Sequence, residues 1–126
     1  MSTNLDPKAA ELLKPMLKRR LFVALNKALV PSEEMAPYVA EHLDYMNELE
    51  KAGKLFASGP FIQEGVLVGD GLTILNTSSL DEARMLMQGE PLIKRGLRGF
   101  DLHTWELREG RITVTLNAST SSFGLV

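Results

Sequence analysis

The chain contains no cysteine. That absence removes disulfide frameworks, thiolate nucleophiles and thiolate metal ligands together, and it makes the cytoplasm the expected compartment. Histidine is nearly as scarce, with only His42 and His103 present. Two histidines without a His-Glu-x-x-His run do not make a metal constellation, so no metal is expected. Gly69-Asp70-Gly71 is too short to cradle a phosphate, and no Gly-x-Gly-x-x-Gly follows the first strand candidate, so no nucleotide cofactor is expected either. The longest apolar runs are about five residues, as in Leu21 to Leu25, far below the length of a membrane span. Nor is there an excess of positive charge: 14 Lys and Arg against 16 Asp and Glu give a net charge of −2. Without a basic field the main source of non-specific nucleic-acid affinity is missing, so no nucleic-acid partner is expected. The start of the chain lacks an apolar signal core. Its segment from Asp6 to Arg20 is amphipathic and basic toward the end, but Asp6 and Glu11 oppose a transit-peptide reading.

What is present is an ordinary globular composition, 44% apolar and 24% charged over 126 residues, enough for one core and one domain. Asp6-Pro7 predicts a helix start, because Asp can cap free amides and Pro fits the first helical position. Pro15 would shorten or kink that helix. Leu21 to Lys27 reads as a central strand covered on both faces. After Pro31, Ser32 is positioned to cap a helix whose first turn holds Glu33 and Glu34 and which Gly53 ends. Lys54 to Phe61 is the next strand, ending at Gly59-Pro60. Gln63 to Gly71 reads as a connection or hairpin tip, and Leu72 to Asn76 as the returning strand. Ser79-Leu80-Asp81-Glu82 has the form of a capping box, opening a second helix that Gly89 stops. Pro91 to Arg95 suggests one helical turn, Phe100 to Leu107 a strand, and Arg111 to Asn117 a strand with one covered face. From Ala118 the tail is rich in Ser and Thr, and is expected to be loose unless a partner orders it.

The helix from about Glu33 to Ala52 can be projected at about 100° per residue. Met35, Val39, Leu43, Met46 and Leu49 then fall on one stripe, with His42 inside it and Asp44 on the opposite, wet side. His42 is therefore expected to point inward.

Apart from the two ends, the order is strand, helix, strand, strand, helix, strand. This is the βαββαβ plan of an α+β, ferredoxin-like antiparallel sheet with helices on one face. Two helices cover only that face, yet the strands are apolar on both sides. A homodimer pressing two sheets together, the dimeric α/β barrel, would cover the other. The expected divisions are an N-terminal helical extension over 1–20, the ferredoxin-like domain over 21–107, and a C-terminal strand and tail over 108–126, packed on the domain or on a partner subunit.

Several stretches are similar to the YciI-like, or YCII-related, family of dimeric α/β-barrel proteins. They are Leu21 to Leu25; His42-Leu43 with Leu49, Gly53, Lys54 and Leu55; Ala57-Ser58-Gly59-Pro60; Ser79 through Ala83; Glu90-Pro91 with Gly96-Leu97; and Leu102-His103-Thr104-Trp105. The most characteristic feature is a helix histidine eleven residues before a Gly-x-Leu that leads into Ala-x-Gly-Pro. Two departures stand out. Glu90 occupies the place where the family usually has Asp before Pro, and His103-Thr104 the place where Arg-Pro often precedes Trp. The first preserves an acidic cap. The resemblance implies cofactor-free proton transfer on a small organic molecule in an interface cleft, by a His and Asp pair, with a dehydrochlorinase of a chlorinated hydroxyquinol among the members. Muconolactone isomerases look similar in fold.

Histidine is the side chain whose ordinary pKa lies nearest neutrality, so His42 could take or give a proton. On position alone a core histidine satisfied by a backbone carbonyl is the favoured reading; the family spacing reverses this in favour of function. An orienting carboxylate would come from Asp70 or Glu64, although Asp70 before Gly71 also reads as a turn residue. Ser58, Gly59 and Pro60, with His103 and Trp105, are candidate substrate-binding residues. Trp105 suits the sheet surface or a dimer interface better than a pocket wall. Three functions are open: a cofactor-independent lyase or isomerase, possibly dehalogenating, on an aromatic-derived or lactone-like metabolite; a non-catalytic small-ligand-binding accessory protein; and a cofactor-free oxygenase.

Overall fold

The computed structural model describes residues 5–125. Within the larger of two units, Arg20–Glu106, the elements follow the predicted order. Strand β1 spans Arg19–Ala28, β2 Leu55–Gln63, β3 Val66–Leu75 and β4 Arg98–Leu107. They form one sheet in the order β2-β3-β1-β4, the ferredoxin-like arrangement. β3 runs antiparallel to both β1 and β2.

The sheet register explains which residues reach the core. Phe22 pairs with Leu75 and Ala24 with Thr73, and alternate residues of a strand share a face. That face meets two helices, α3 (Val39–Lys51) and α4 (Leu80–Gln88). Phe22, Ala24 and Leu75 pack with Met46, Leu49, Ala83 and Met87, flanked by Phe100 and Leu102 of β4. Burying a large apolar side chain of this kind contributes about 1.5–3 kcal/mol each.

The predicted single helix from Glu33 is broken into three pieces. A turn of helix, α2 (Ser32–Met35), leads through a 3₁₀ turn over Ala36–Tyr38 into α3. Pro37 is the cause, since proline removes an amide donor and crowds the preceding turn. Ser32 does not cap this start: it is itself the first helical residue, and Pro31 holds the cap position with no side-chain hydrogen bond. The C-terminus behaves as expected, with Gly53 at φ 75° and Lys54 N–H donating to Leu49 O at 2.9 Å.

Two other boundaries move. Gly59-Pro60 does not end β2, which continues to Gln63 as an edge strand with a register shift after Pro60. Proline is tolerated there because an edge strand needs no ladder donor on its open side. The hairpin turn is Glu64-Gly65, with φ 50° and 78°, so both residues are in the left-handed region that a two-residue turn requires. Gly69, Asp70 and Gly71, expected in the connection, are therefore strand residues of β3.

The capping box at Ser79 is half realised. Ser79 Oγ accepts from Glu82 N–H at 3.1 Å, but Glu82 reaches back to Ser78 instead of Ser79 and also receives Lys54 Nζ at 2.8 Å. With the Lys54 bond first among its causes, the Glu82 pKa is lowered to about 2. The turn predicted after Pro91 is α5 (Pro91–Lys94).

The second unit takes in Met1–Arg19 and Leu107–Val126. Its helix α1 spans Pro7–Leu13, with Asp6 accepting from Ala9 N–H at 2.9 Å, and it ends before Pro15 without a kink. The strand expected from Arg111 begins only at Val114: β5 (Val114–Asn117) pairs antiparallel with β6 (Ser122–Leu125) as a separate hairpin. All four residues of β5 are exposed, so the one covered face expected of this strand is not seen among the described residues. The segment expected to be loose thus contains a strand. Residues 1–4 and 126 of the expected end segments lie outside the described residues.

Candidate active site

His42 lies one turn before Met46 on α3, where the helix stripe leaves the core. Of the predicted stripe, Met35, Met46 and Leu49 are buried, whereas Val39 and Leu43 are exposed at 39% and 52%. Those two line a cavity of about 430 Å³, together with His42. This volume falls in the range of small-molecule sites.

The carboxylate that meets His42 is Glu90. His42 Nδ1 lies 2.5 Å from Glu90 Oε1. Glu90 is 1% exposed and caps α5: Oε1 accepts from Leu92 N–H at 3.2 Å and Oε2 from Ile93 N–H at 3.1 Å. Pro91 at the first helical position has no amide to be left unsatisfied. Burial pushes the Glu90 pKa up. The bonds from His42 and from the Leu92 and Ile93 amides, with the charge of His42, outweigh it and hold the carboxyl below its ordinary value. An ionised carboxylate only accepts, so Nδ1 carries the hydrogen and Nε2 is the basic nitrogen. No protein hydrogen bond to Nε2 occurs among the described residues. Tyr45, whose hydroxyl donates to Leu86 O at 2.6 Å, is pushed up in pKa by burial and by the nearby Glu90 charge.

The remaining walls come from the sheet and the neighbouring turns. β2 supplies Ser58, Gly59 and Pro60; β3 supplies Leu67, Gly69, Leu72 and Thr73. Met35, Ala36 and Leu92 close the apolar side. Gly69, at φ 88°, has no room for a side chain, since a Cβ there would lie 2.7 Å from Met35 Cε and 2.8 Å from Ala28 Cβ. Three polar residues complete the lining, Ser32 from α2, Asn26 from β1 and Arg98 from β4.

The structure brings together His42, Ser58, Gly59 and Pro60, as the sequence predicts. The predicted carboxylate partners are a correction. Asp70 Oδ1 accepts from Ala28 N–H at 2.8 Å, satisfying an amide just beyond the last β1–β3 pair. Glu64 is exposed at the hairpin turn. His103 and Trp105 are also separated from His42: they line a different depression, with Val23, Leu72 and Ile74, on the sheet face away from the helices. Alternation of the strand puts them there, because Phe100 and Leu102 take the core side. Sequence reasoning missed Glu90, Asn26 and Arg98 as site residues. For Glu90 a signal existed, an acid directly before the proline of a helical turn; Asn26 and Arg98 offer only a polar residue at an inward strand position.

Residues 16–105 match the family described as YCII-related domain. No curated protein matches the chain. Among solved structures, the fold is similar to that of 5-chloro-2-hydroxyhydroquinone dehydrochlorinase from Burkholderia phenoliruptrix, solved in complex with 2,5-dihydroxybenzoquinone. The TM-score is 0.59 and the identity 24%, over 68% of this chain and 92% of that one. At this identity the likeness is one of fold.

Proposed function

The chain belongs to the YCII-related domain family, and on that premise we propose that it is a cofactor-independent acid/base enzyme, a lyase or isomerase of a small aromatic-derived or lactone-like molecule. The observation that carries this reading is His42 on the wall of a largely apolar cavity, with the buried Glu90 bonded behind it. Glu90 fixes the tautomer and stabilises the imidazolium that forms when Nε2 takes a proton. A carbon acid beside a carbonyl is the substrate type such a base suits. Where the adjacent carbon bears chlorine, the electron pair left behind expels chloride and HCl is lost overall; otherwise the proton returns elsewhere and an isomer forms. The activity named for the structural neighbour, dehydrochlorination of a hydroquinone, supports the first outcome.

The second sheet face supports self-association. Leu25 and Trp105 are exposed there at 43% and 39%, beside Val23 and Ile74, and a second copy laid on the sheet would cover them. Cytoplasmic location remains part of the same proposal; no helix among the described residues is long and apolar enough to cross a membrane.

The test is turnover of chlorinated hydroxyquinols and unsaturated lactones by the wild type and by His42→Ala, in preparations whose mass light scattering expects to be twice that of the chain. His42→Ala should lower turnover by about 10²- to 10⁴-fold with the dimer intact. Unchanged turnover would sink the acid/base reading, saturable binding without conversion would favour an accessory binding protein, and a monomeric mass would remove the dimer.

A further inference from the structure

The polar end of the His42 cavity is built from groups that the fold leaves without partners. Arg98 starts β4 and sends its guanidinium across β1 to lie over Gly71 of β3, where a Cβ would come within 3.0 Å of Nη2 and 2.8 Å of Gly59 O. Gly71 is the strand partner of Asn26, so the guanidinium and the Asn26 side chain occupy the same corner. Arg98 Nε is buried with no acceptor. The two acids whose charges reach Arg98 are otherwise engaged: Glu90 by His42, Leu92 and Ile93, and Asp70 by the Ala28 amide. Asn26 is 5% exposed. Its Nδ2 donates to Thr73 Oγ1 at 2.9 Å, which leaves Oδ1 buried and without a donor.

A buried guanidinium N–H and a buried acceptor are each costly when left without a hydrogen bond, and native structures rarely leave both at one spot. Both residues line the cavity. We propose that Arg98 and Asn26 form a subsite for an ionised ring oxygen with a hydroxyl beside it. Arg98 Nε holds the anion and Asn26 Oδ1 accepts from the hydroxyl. The ligand class is then an acidic hydroxy-enol or hydroxyquinone, bound as its anion with its carbon skeleton toward His42. This assignment deepens the acid/base reading of the same cavity, but it is tested by binding and not by turnover.

The probe pair is 2,5-dihydroxybenzoquinone, an acidic enol, and its 2,5-dimethoxy ether, which has a similar ring but neither charge nor donor. Calorimetric titration of the wild type, at a mildly acidic pH that leaves one of the two enols protonated, should show the dihydroxy compound binding at least tenfold more tightly. Arg98→Gln should lose about tenfold to a hundredfold in affinity for the anion, and little for the ether. Arg98→Lys, which keeps the charge and the fold but not Nε, should fall between. Asn26→Asp, which sets a carboxylate against the bound anion, should lose as much as Arg98→Gln. Equal affinity for the two probes, no binding of either, or an unchanged anion affinity in a folded Arg98→Lys would overturn the assignment. His42→Ala should retain the discrimination between probes, so loss of turnover in that variant and failure of the subsite are separately visible.

Discussion

The two ends of the helix-covered sheet face share the same strands and differ in every inward residue. Toward one end β1 presents Phe22 and Ala24, β3 presents Leu75, and β4 presents Leu102 and Phe100, all within or against the core. Toward the other, the next inward positions are Asn26, Thr73 and Arg98. The helix above changes in step, from Leu49 and Met46 to His42 and Val39. Three strands switch polarity within one inward step of each other, Thr73 lying opposite Ala24 and Asn26 opposite Gly71. A core cannot tolerate unpaired polar groups, so a coordinated switch of this kind marks where packing stops and recognition begins.

The sharpest way to test the division is to damage the packed end. Leu75→Ala should cost about 2–5 kcal/mol of stability in urea unfolding, because Leu75 is fully buried and the site would collapse only in part. Binding of the dihydroxybenzoquinone probe by the fraction that remains folded should not change. A parallel loss of affinity would show that the two ends are not independent.

Glu90→Gln tests the polar end. The variant should lose turnover, since an amide neither fixes the imidazole tautomer in the same way nor stabilises imidazolium, and it should lose about 1.5–3 kcal/mol of stability at neutral pH. Because the Glu90 pKa is lowered by folding, its contribution is present above the ordinary value of 4.5 and disappears as pH falls through the lower folded value. The stability gap between wild type and variant should therefore close on acidification. Glu82, also lowered, titrates in both proteins and cancels in the difference. A gap independent of pH would mean that the charge of Glu90 does not contribute to folding. The smallest effect should come from Thr73→Val, which removes the acceptor for Asn26 Nδ2 and should cost about 1 kcal/mol by the same unfolding measurement.

Much of this arrangement is legible in the sequence where the governing contacts are local. Helix phase puts His42 on the inward stripe, alternation separates His103 and Trp105 from Phe100 and Leu102, and Asp6 and Ser79 announce helix starts that form. The misreadings come from tertiary contacts overriding local chemistry. Asp70-Gly71 has the composition of a turn but is held as strand between β1 and β2, while the turn goes to Glu64-Gly65. Asp70 looked available to His42, yet it satisfies a backbone amide. The true partner, Glu90, lies 48 positions away; its place before Pro91 marks a helix cap, but local pattern does not report a contact of that range. Pro37 is a different case: a local signal with a known effect, which splits the helix and lets Met35 reach the core while Val39 faces the cavity.

The separation of His42 from Glu90 has one more consequence. The stretch between them contains β2, β3 and α4, so the contact closes a long loop that the unfolded chain has no reason to hold shut. The imidazole N–H bound to Glu90 therefore persists only while the sheet and both covering helices are assembled. His42 is in that sense a built-in reporter: the same proton that sets its tautomer also signals how much of the population is folded.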